Sequence, residues 1–189
     1  MNYNRQQAWQ LLRQHVQSEV LLKHCLAVEI AMRAYAAKFG EDVEYWGAVG
    51  LLHDVDFQKF PDDHPNHARE ILTAAGYDSQ FATDVEAHAR DWQSERTLLQ
   101  MTLLAVDELT GFIIACALVR PDKSLSNLEV KSIMKKMKDK AFARAVNRET
   151  ITTSAAAMNV DLKEHIEFVT NALAQAVTLP EYQELPLVG

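Results

Sequence analysis

Histidines and aspartates are the residues of this 189-residue chain whose types and spacing could do chemistry. Five of its seven histidines, His24, His53, His64, His67 and His88, lie between residues 24 and 88, each in or beside a segment of helical period. Asp54 follows His53 directly in "LLHDVD", at the end of an apolar run. Asp107 lies inside "LLQMTLLAVDELTGFIIACAL", where a helix would carry its carboxylate into apolar surroundings. A buried carboxylate or imidazole is costly unless a partner compensates it. Imidazoles and carboxylates together are good donors for Zn, Mn, Fe, Ni or Co. A helical bundle can converge one or two such side chains from each helix on its centre. Each residue also has an ordinary reading: His24 as a hydrogen-bonded histidine on an amphipathic helix, His88 as a residue flanking a loop. Asp54 suits that reading less, because a carboxylate at a helix C-terminus opposes the dipole. His15 and His165 have no such setting and read as surface residues.

The elements that must position these groups are helices. Nearly every segment has helical period, and strand alternation is absent. Asn4 reads as the cap of a helix to about residue 16, and Ser18 as the cap of a second over 19–38, stopped by Gly40. Asp42 caps a third that ends near His53-Asp54. "QKFPDDHPN" reads as a turn. Pro65 suits the first position of a fourth helix, to about 75, with Gly76 as its stop. A fifth is expected over 79–90 from Ser79, and a sixth, the most apolar and hence central, over 96–118. "VRPDKS" breaks it. Ser126 then caps a short helix through "NLEVKSIMKKM", Asp139 begins another through "KAFARAV", and helices near 148–158 and 161–178 precede a tail, "LPEYQELPLVG". The chain reads as one all-α domain over 1–189, with a core over about 18–120 and a helical extension over about 121–180 packed on as a cap.

Composition narrows the partners. At 48% hydrophobic and 24% charged, the chain has ample material for a core. A formal net charge of -7 disfavours binding to duplex nucleic acid. Cys25 and Cys116 lie far apart, without the spacing of a metal site or disulfide framework. The N-terminal segment is polar and amphipathic, and "GFIIACALV" is short for a bilayer span. These features point to the cytoplasm, with no membrane partner. Oligomeric state is not legible.

The order His24, His53-Asp54, Asp107 resembles the HD-domain superfamily, a helical fold of metal-dependent phosphohydrolases. "LLHDVD" is similar to that family's His-Asp segment. "HPNHAREIL" resembles the segment which, in the branch with a larger site, supplies a further histidine before another comes from the next helix. The run from "LLAVDELTGF" to "KDKAFARAV" resembles a subgroup of small HD hydrolases, so that the likeness covers roughly residues 20–150. It implies an HD-domain helical bundle with a C-terminal helical cap. It also implies a core metal site of His24, His53, Asp54 and Asp107, with Asp54 as the bridge if two metals bind. His64 and His88 would hold the second metal, or touch substrate phosphate if one is bound. His67, one turn on, could replace His64, which is preferred because the family's segment begins there. Cyclic-dinucleotide cleavage is disfavoured: that branch has Gly-Lys after its His-Asp where this chain has "VDFQK", and paired histidines where this chain has His88-Ala89. Single-metal nucleotidases of the family carry an acidic residue where Phe57 stands here; Asp56 is one position earlier.

The expected activity is cleavage of a small phosphate ester, a nucleotide among the candidates, by a metal-activated water with one or two divalent ions. Asp54 would act at the metal, and His64, His88 or Asp56 would shuttle the leaving-group proton. Arg120, Lys123, Lys131 and Lys135 are the candidate phosphate partners, drawn from a basic stretch that would equally suit a solvated helix face. Phe57, Phe60, Trp92 and Phe112 could stack on a base or simply fill the core. Two alternatives share the ligands. One is a di-iron oxygenase, whose set His24, His53, Asp54, His64, His88 and Asp107 would match. The other is a catalytically silent binding or signalling module.

Overall fold

The computed structural model describes residues 3–89 and 91–188. Among them are α1 (Arg5–His15), α2 (Glu19–Phe39), α3 (Val43–Leu52), α4 (Ala68–Ala74), α5 (Ser79–Glu86), α6 (Leu98–Leu118), α7 (Val130–Met137), α8 (Arg148–Ala157) and α9 (Leu162–Ala176), with a single 3-10 turn, Pro180–Tyr182, and no strand. The fold is all-helical, as its periodicity predicts.

Short polar side chains start the helices. Asn4, Ser18 and Asp42 each accept a backbone N–H of the first turn, as expected of them, and each such cap contributes about 1 kcal/mol. Gly40 stops α2 in the left-handed conformation at φ 77°. Asp78, rather than Ser79, caps α5. That helix ends at Glu86, and its expected end, residue 90, lies outside the described residues. Thr97 and Gln100 form a reciprocal capping box at the start of α6.

The helices that carry the site pack closely. Glycines let α3 lie against α2: a Cβ on Gly50 would stand 2.9 Å from Met32 Cγ and 3.1 Å from the Val28 carbonyl oxygen. This approach brings the end of α3, with His53 and Asp54, beside the middle of α2. The Gln58 side chain then accepts the backbone N–H groups of Gln17 (2.8 Å) and Ser18 (2.9 Å), tying the loop after α3 to the start of α2. Helix α6 crosses the centre, against α2, α8 and α9. Its 21 residues are long and apolar enough to cross a bilayer, more than the nine-residue run singled out in the sequence; yet 56% of its most apolar stretch is buried inside the protein.

Four expectations change. Helix α4 starts at Ala68, not Pro65, because residues 61–67 form turns in which Asp56 Oδ2 accepts the His67 N–H at 3.1 Å. Helix α7 starts at Val130 behind Glu129, not at Ser126. The helix expected from Asp139 is absent. Asp139 caps a local turn by accepting the Ala141 N–H (3.0 Å), and Arg148 donates to the carbonyls of Ala143 and Val146 (both 2.7 Å) and of Phe142. Those carbonyls are thus satisfied outside a helix. The C-terminal tail is no loose end: Tyr182 and Leu187 are buried, and the Arg5 guanidinium lies 4.7 Å over the Tyr182 ring.

His165 is the clearest correction. It is fully buried on α9, where Tyr35 Oη donates to its Nδ1 at 2.6 Å and its Nε2 donates to the Ala105 carbonyl at 3.1 Å. Burial holds its pKa below the ordinary value.

Candidate metal centre

Five segments deliver the polar side chains to one place. His24 comes from α2, and His53 and Asp54 from the end of α3. His64 comes from the turn before α4, His88 from the turn after α5, and Asp107 from the middle of α6. They form two groups, His24–His53–Asp107 and Asp54–His64–His88, in each of which one donor atom per residue lies within 4.8 Å of the others.

Asp54 stands between the groups. Its Oδ2 is 3.6 Å from His24 Nε2 and 3.5 Å from His53 Nε2, while its Oδ1 is 3.0 Å from His64 Nε2 and 3.8 Å from His88 Nε2. Asp107 Oδ1 lies 3.0 Å from His24 Nε2 and 3.5 Å from His53 Nε2. Donors that share an ion with bonds of about 2.1 Å sit about 3.0–3.4 Å apart. The two 3.0 Å separations match that spacing, and the other four, at 3.5–3.8 Å, lie a few tenths of an ångström beyond it.

The imidazole tautomers make the stronger test of fit. The Gly50 carbonyl accepts His53 Nδ1–H at 2.8 Å, the Val85 carbonyl accepts His88 Nδ1–H at 2.5 Å, and Asp56 Oδ1 accepts His64 Nδ1–H at 2.6 Å. With Nδ1 donating, each ring presents an Nε2 lone pair to the centre. Yet His64 Nε2 and His88 Nε2 are 2.8 Å apart, and His24 Nε2 and His53 Nε2 3.2 Å apart. The facing lone pairs of His64 and His88 need positive charge between them, as a proton or as a cation. The titration behaviour makes the same demand. Against the burial that lowers them, Asp54 with Asp107 raises His53 to about 9, and Asp54 with Asp56 raises His64 to about 9. Burial, followed by the charge on His53, pushes His88 down to about 4. Burial opposes ionisation of Asp54 and Asp107, but the surrounding histidines hold both carboxyls well below the usual range. The donor set fits a divalent cation in each group.

Asp56 is placed behind this centre rather than in it. It is fully buried, and its two oxygens are engaged by His64 Nδ1 and the His67 backbone N–H. This arrangement suits it to orient His64, not to pass a proton to substrate. His67 turns away, bonding Asp63 at 2.7 Å and stacking on Phe60 at 3.7 Å, and His64 occupies the position for which the two competed in the sequence.

The centre forms the floor of a cleft of about 1210 Å³. Phe57 lies on the wall of this cleft. Phe60, Trp92 and Phe112 do not, Phe112 being fully buried. Arg120, Lys123, Lys131 and Lys135 are also absent from the wall: Arg120 pairs with Asp122, and the three lysines are exposed elsewhere. Among the described lining residues, Lys23 is the one lysine or arginine. The sequence reading missed it, although its place beside His24 was the available signal.

A family model for the HD domain matches residues 21–153, which include every member of both His/Asp groups. The chain belongs to the HD-domain family. HD domains form a superfamily of metal-dependent phosphohydrolases, and the two His/Asp groups of this HD domain fit metal binding. No curated relative and no solved structure matches the chain.

Proposed function

We propose that this HD-domain protein is a phosphohydrolase that cleaves a small phosphate ester with two divalent ions. One ion would be held by His24, His53 and Asp107, the other by His64 and His88, with Asp54 shared. The observation that carries the reading is Asp54, whose two oxygens face the two groups at the floor of an open cleft. Bound there, the ions supply Lewis acidity toward a phosphoryl oxygen and lower the pKa of water.

The protein's own residues do the rest. Lys23, on the cleft wall beside His24, binds the phosphate and offsets its charge. Asp56 fixes the orientation and tautomer of His64. If one ion is held, at His24, His53 and Asp107, then His64 and His88 face the substrate, and His64 carries the proton to the leaving oxygen. A small anionic substrate, an acidic protein surface and unpaired buried cysteines suit work in the cytoplasm without nucleic-acid or membrane partners.

The test is phosphate release from a panel of phosphate esters by protein stripped with chelator and reloaded with Mn, Ni, Co or Zn. Release that depends on metal and is lost in Asp107→Ala is expected. Silence with every metal, together with oxygen consumption by the iron-loaded protein, would overturn the reading in favour of oxidation on the same ligands.

A further inference from the structure

Beyond the metal centre, the cleft is built for an apolar tail. Helix α6 lines it with Leu104, Asp107, Gly111, Ile114, Ala115 and Leu118, spaced three or four apart and so on one face of the helix. From Asp107 to Leu118 that stripe runs about 16 Å. The opposite walls are mostly apolar, with Val20 and Leu21 from α2, Phe57 and Pro61 from the loop after α3, Val146 before α8 and Val188 near the C-terminus set among Ser18, Gln58 and Thr150. Val20 is 80% exposed, Phe57 40% and Leu118 44%. Large apolar side chains left open to solvent around one cavity mark a surface that an apolar ligand covers.

Gly111 makes the argument specific. It sits one turn beyond Asp107, inside a helix it weakens relative to alanine. Packing does not require it, since a Cβ built on it meets nothing within 4 Å. Its missing side chain leaves open the stretch of cleft next to the metal centre.

The polar side of the wall suits a single phosphate. Lys23 is its one lysine or arginine among the described residues, while Glu108 and Asp91 add carboxylates. Glu108 is used internally, accepting the Asn147 N–H at 3.0 Å. Among the described residues, the extra charge of a di- or triphosphate would meet these two carboxylates and one cation.

We propose that the substrate is the phosphate monoester of an apolar alcohol, its phosphate at the metal centre and its tail laid along α6 from Gly111 to Leu118. This rests on the phosphohydrolase reading. In the reaction a water oxygen bonds to phosphorus, the bond between phosphorus and the alcohol oxygen breaks, and that oxygen takes a proton. The products are inorganic phosphate and the free alcohol, and no redox partner is needed.

The experiment uses methyl, hexyl and decyl phosphate and deoxyadenosine monophosphate, each below any micellar concentration. Binding to the chelator-treated, metal-free protein is followed by calorimetry, and phosphate release by the metal-loaded protein is measured in parallel. The expected result is metal-free binding of decyl phosphate but not of methyl phosphate or the nucleotide. kcat/KM should rise about tenfold or more from methyl to decyl. Gly111→Leu, which fills open space, should keep the metal content without lowering the melting temperature, lose decyl phosphate binding, and cut the preference for decyl over methyl by a similar factor. Release from methyl phosphate or the nucleotide that equals or exceeds release from decyl, with no metal-free binding of decyl phosphate, overturns the apolar tail and leaves the phosphohydrolase reading intact. Decyl phosphate bound in wild type and lost in Gly111→Leu, without phosphate released from any ester, supports the apolar tail and overturns the phosphohydrolase reading.

Discussion

His64 Nδ1 donates to Asp56 Oδ1 at 2.6 Å, and this bond turns the ring's other nitrogen toward Asp54 and His88. Asp56 thus bears on the metal centre without belonging to it. Asp56→Asn removes the charge from that bond while keeping the side chain's shape. Metal affinity, read by competition with a chromogenic chelator, is expected to fall about 10–100-fold. Secondary structure by circular dichroism should not change. An unaltered affinity would mean that His64 is oriented by something else.

The raised pKa values of His53 and His64 make metal binding a proton-releasing reaction. Both sit at about 9 in the metal-free protein, so both rings carry an extra proton at neutral pH and must shed it to present a lone pair. The sign follows directly: affinity falls as pH drops below about 9, because protons compete with the metal, and it rises as pH climbs toward that value. Calorimetry at pH 7 in buffers of different ionisation enthalpy should report net proton release. An affinity independent of pH between 6 and 8 would contradict this.

Gly50 links helix packing to the site. Its α-carbon faces Met32 and the Val28 carbonyl, and its own carbonyl accepts His53 Nδ1–H. Gly50→Ala puts a methyl group into that contact, and overpacking of this kind costs about 1–3 kcal/mol. The expected outcome is a lower urea midpoint with unchanged slope and weaker metal binding, since His53 shifts away from His24. A variant as stable as the wild type would show that α2 and α3 have room to spare.

The fold was largely legible because caps, stops and periodicity are local. Asn4, Ser18, Asp42 and Gly40 announce helix ends by their own chemistry, and the order His24, His53-Asp54, Asp107 carries the family. What escaped depends on distant neighbours. Arg148 satisfies carbonyls at 142, 143 and 146, and so replaces a helix that the propensities of "KAFARAV" favour. His165 looked like a surface residue, although it shares an apolar stripe with Val169, Leu173 and Ala176 that could have revealed its burial. The candidate phosphate cations stand out by their concentration, by the loop leaving the Asp107 helix and by a shared helix face, yet none of the four lines the cleft that Lys23 lines. Asp56 read as acid or base because sequence shows proximity to His53-Asp54, not which way a carboxylate turns.

The central claim is that Asp54 joins two metal-holding groups. Its most direct test is elemental analysis by mass spectrometry of protein purified without chelator or histidine tag, beside the Asp54→Ala variant. With two groups present, the wild type should carry close to two equivalents of divalent metal, and the variant should lose metal from both. A wild type that binds none even after divalent ions are added back, or a variant with undiminished content, would contradict the claim.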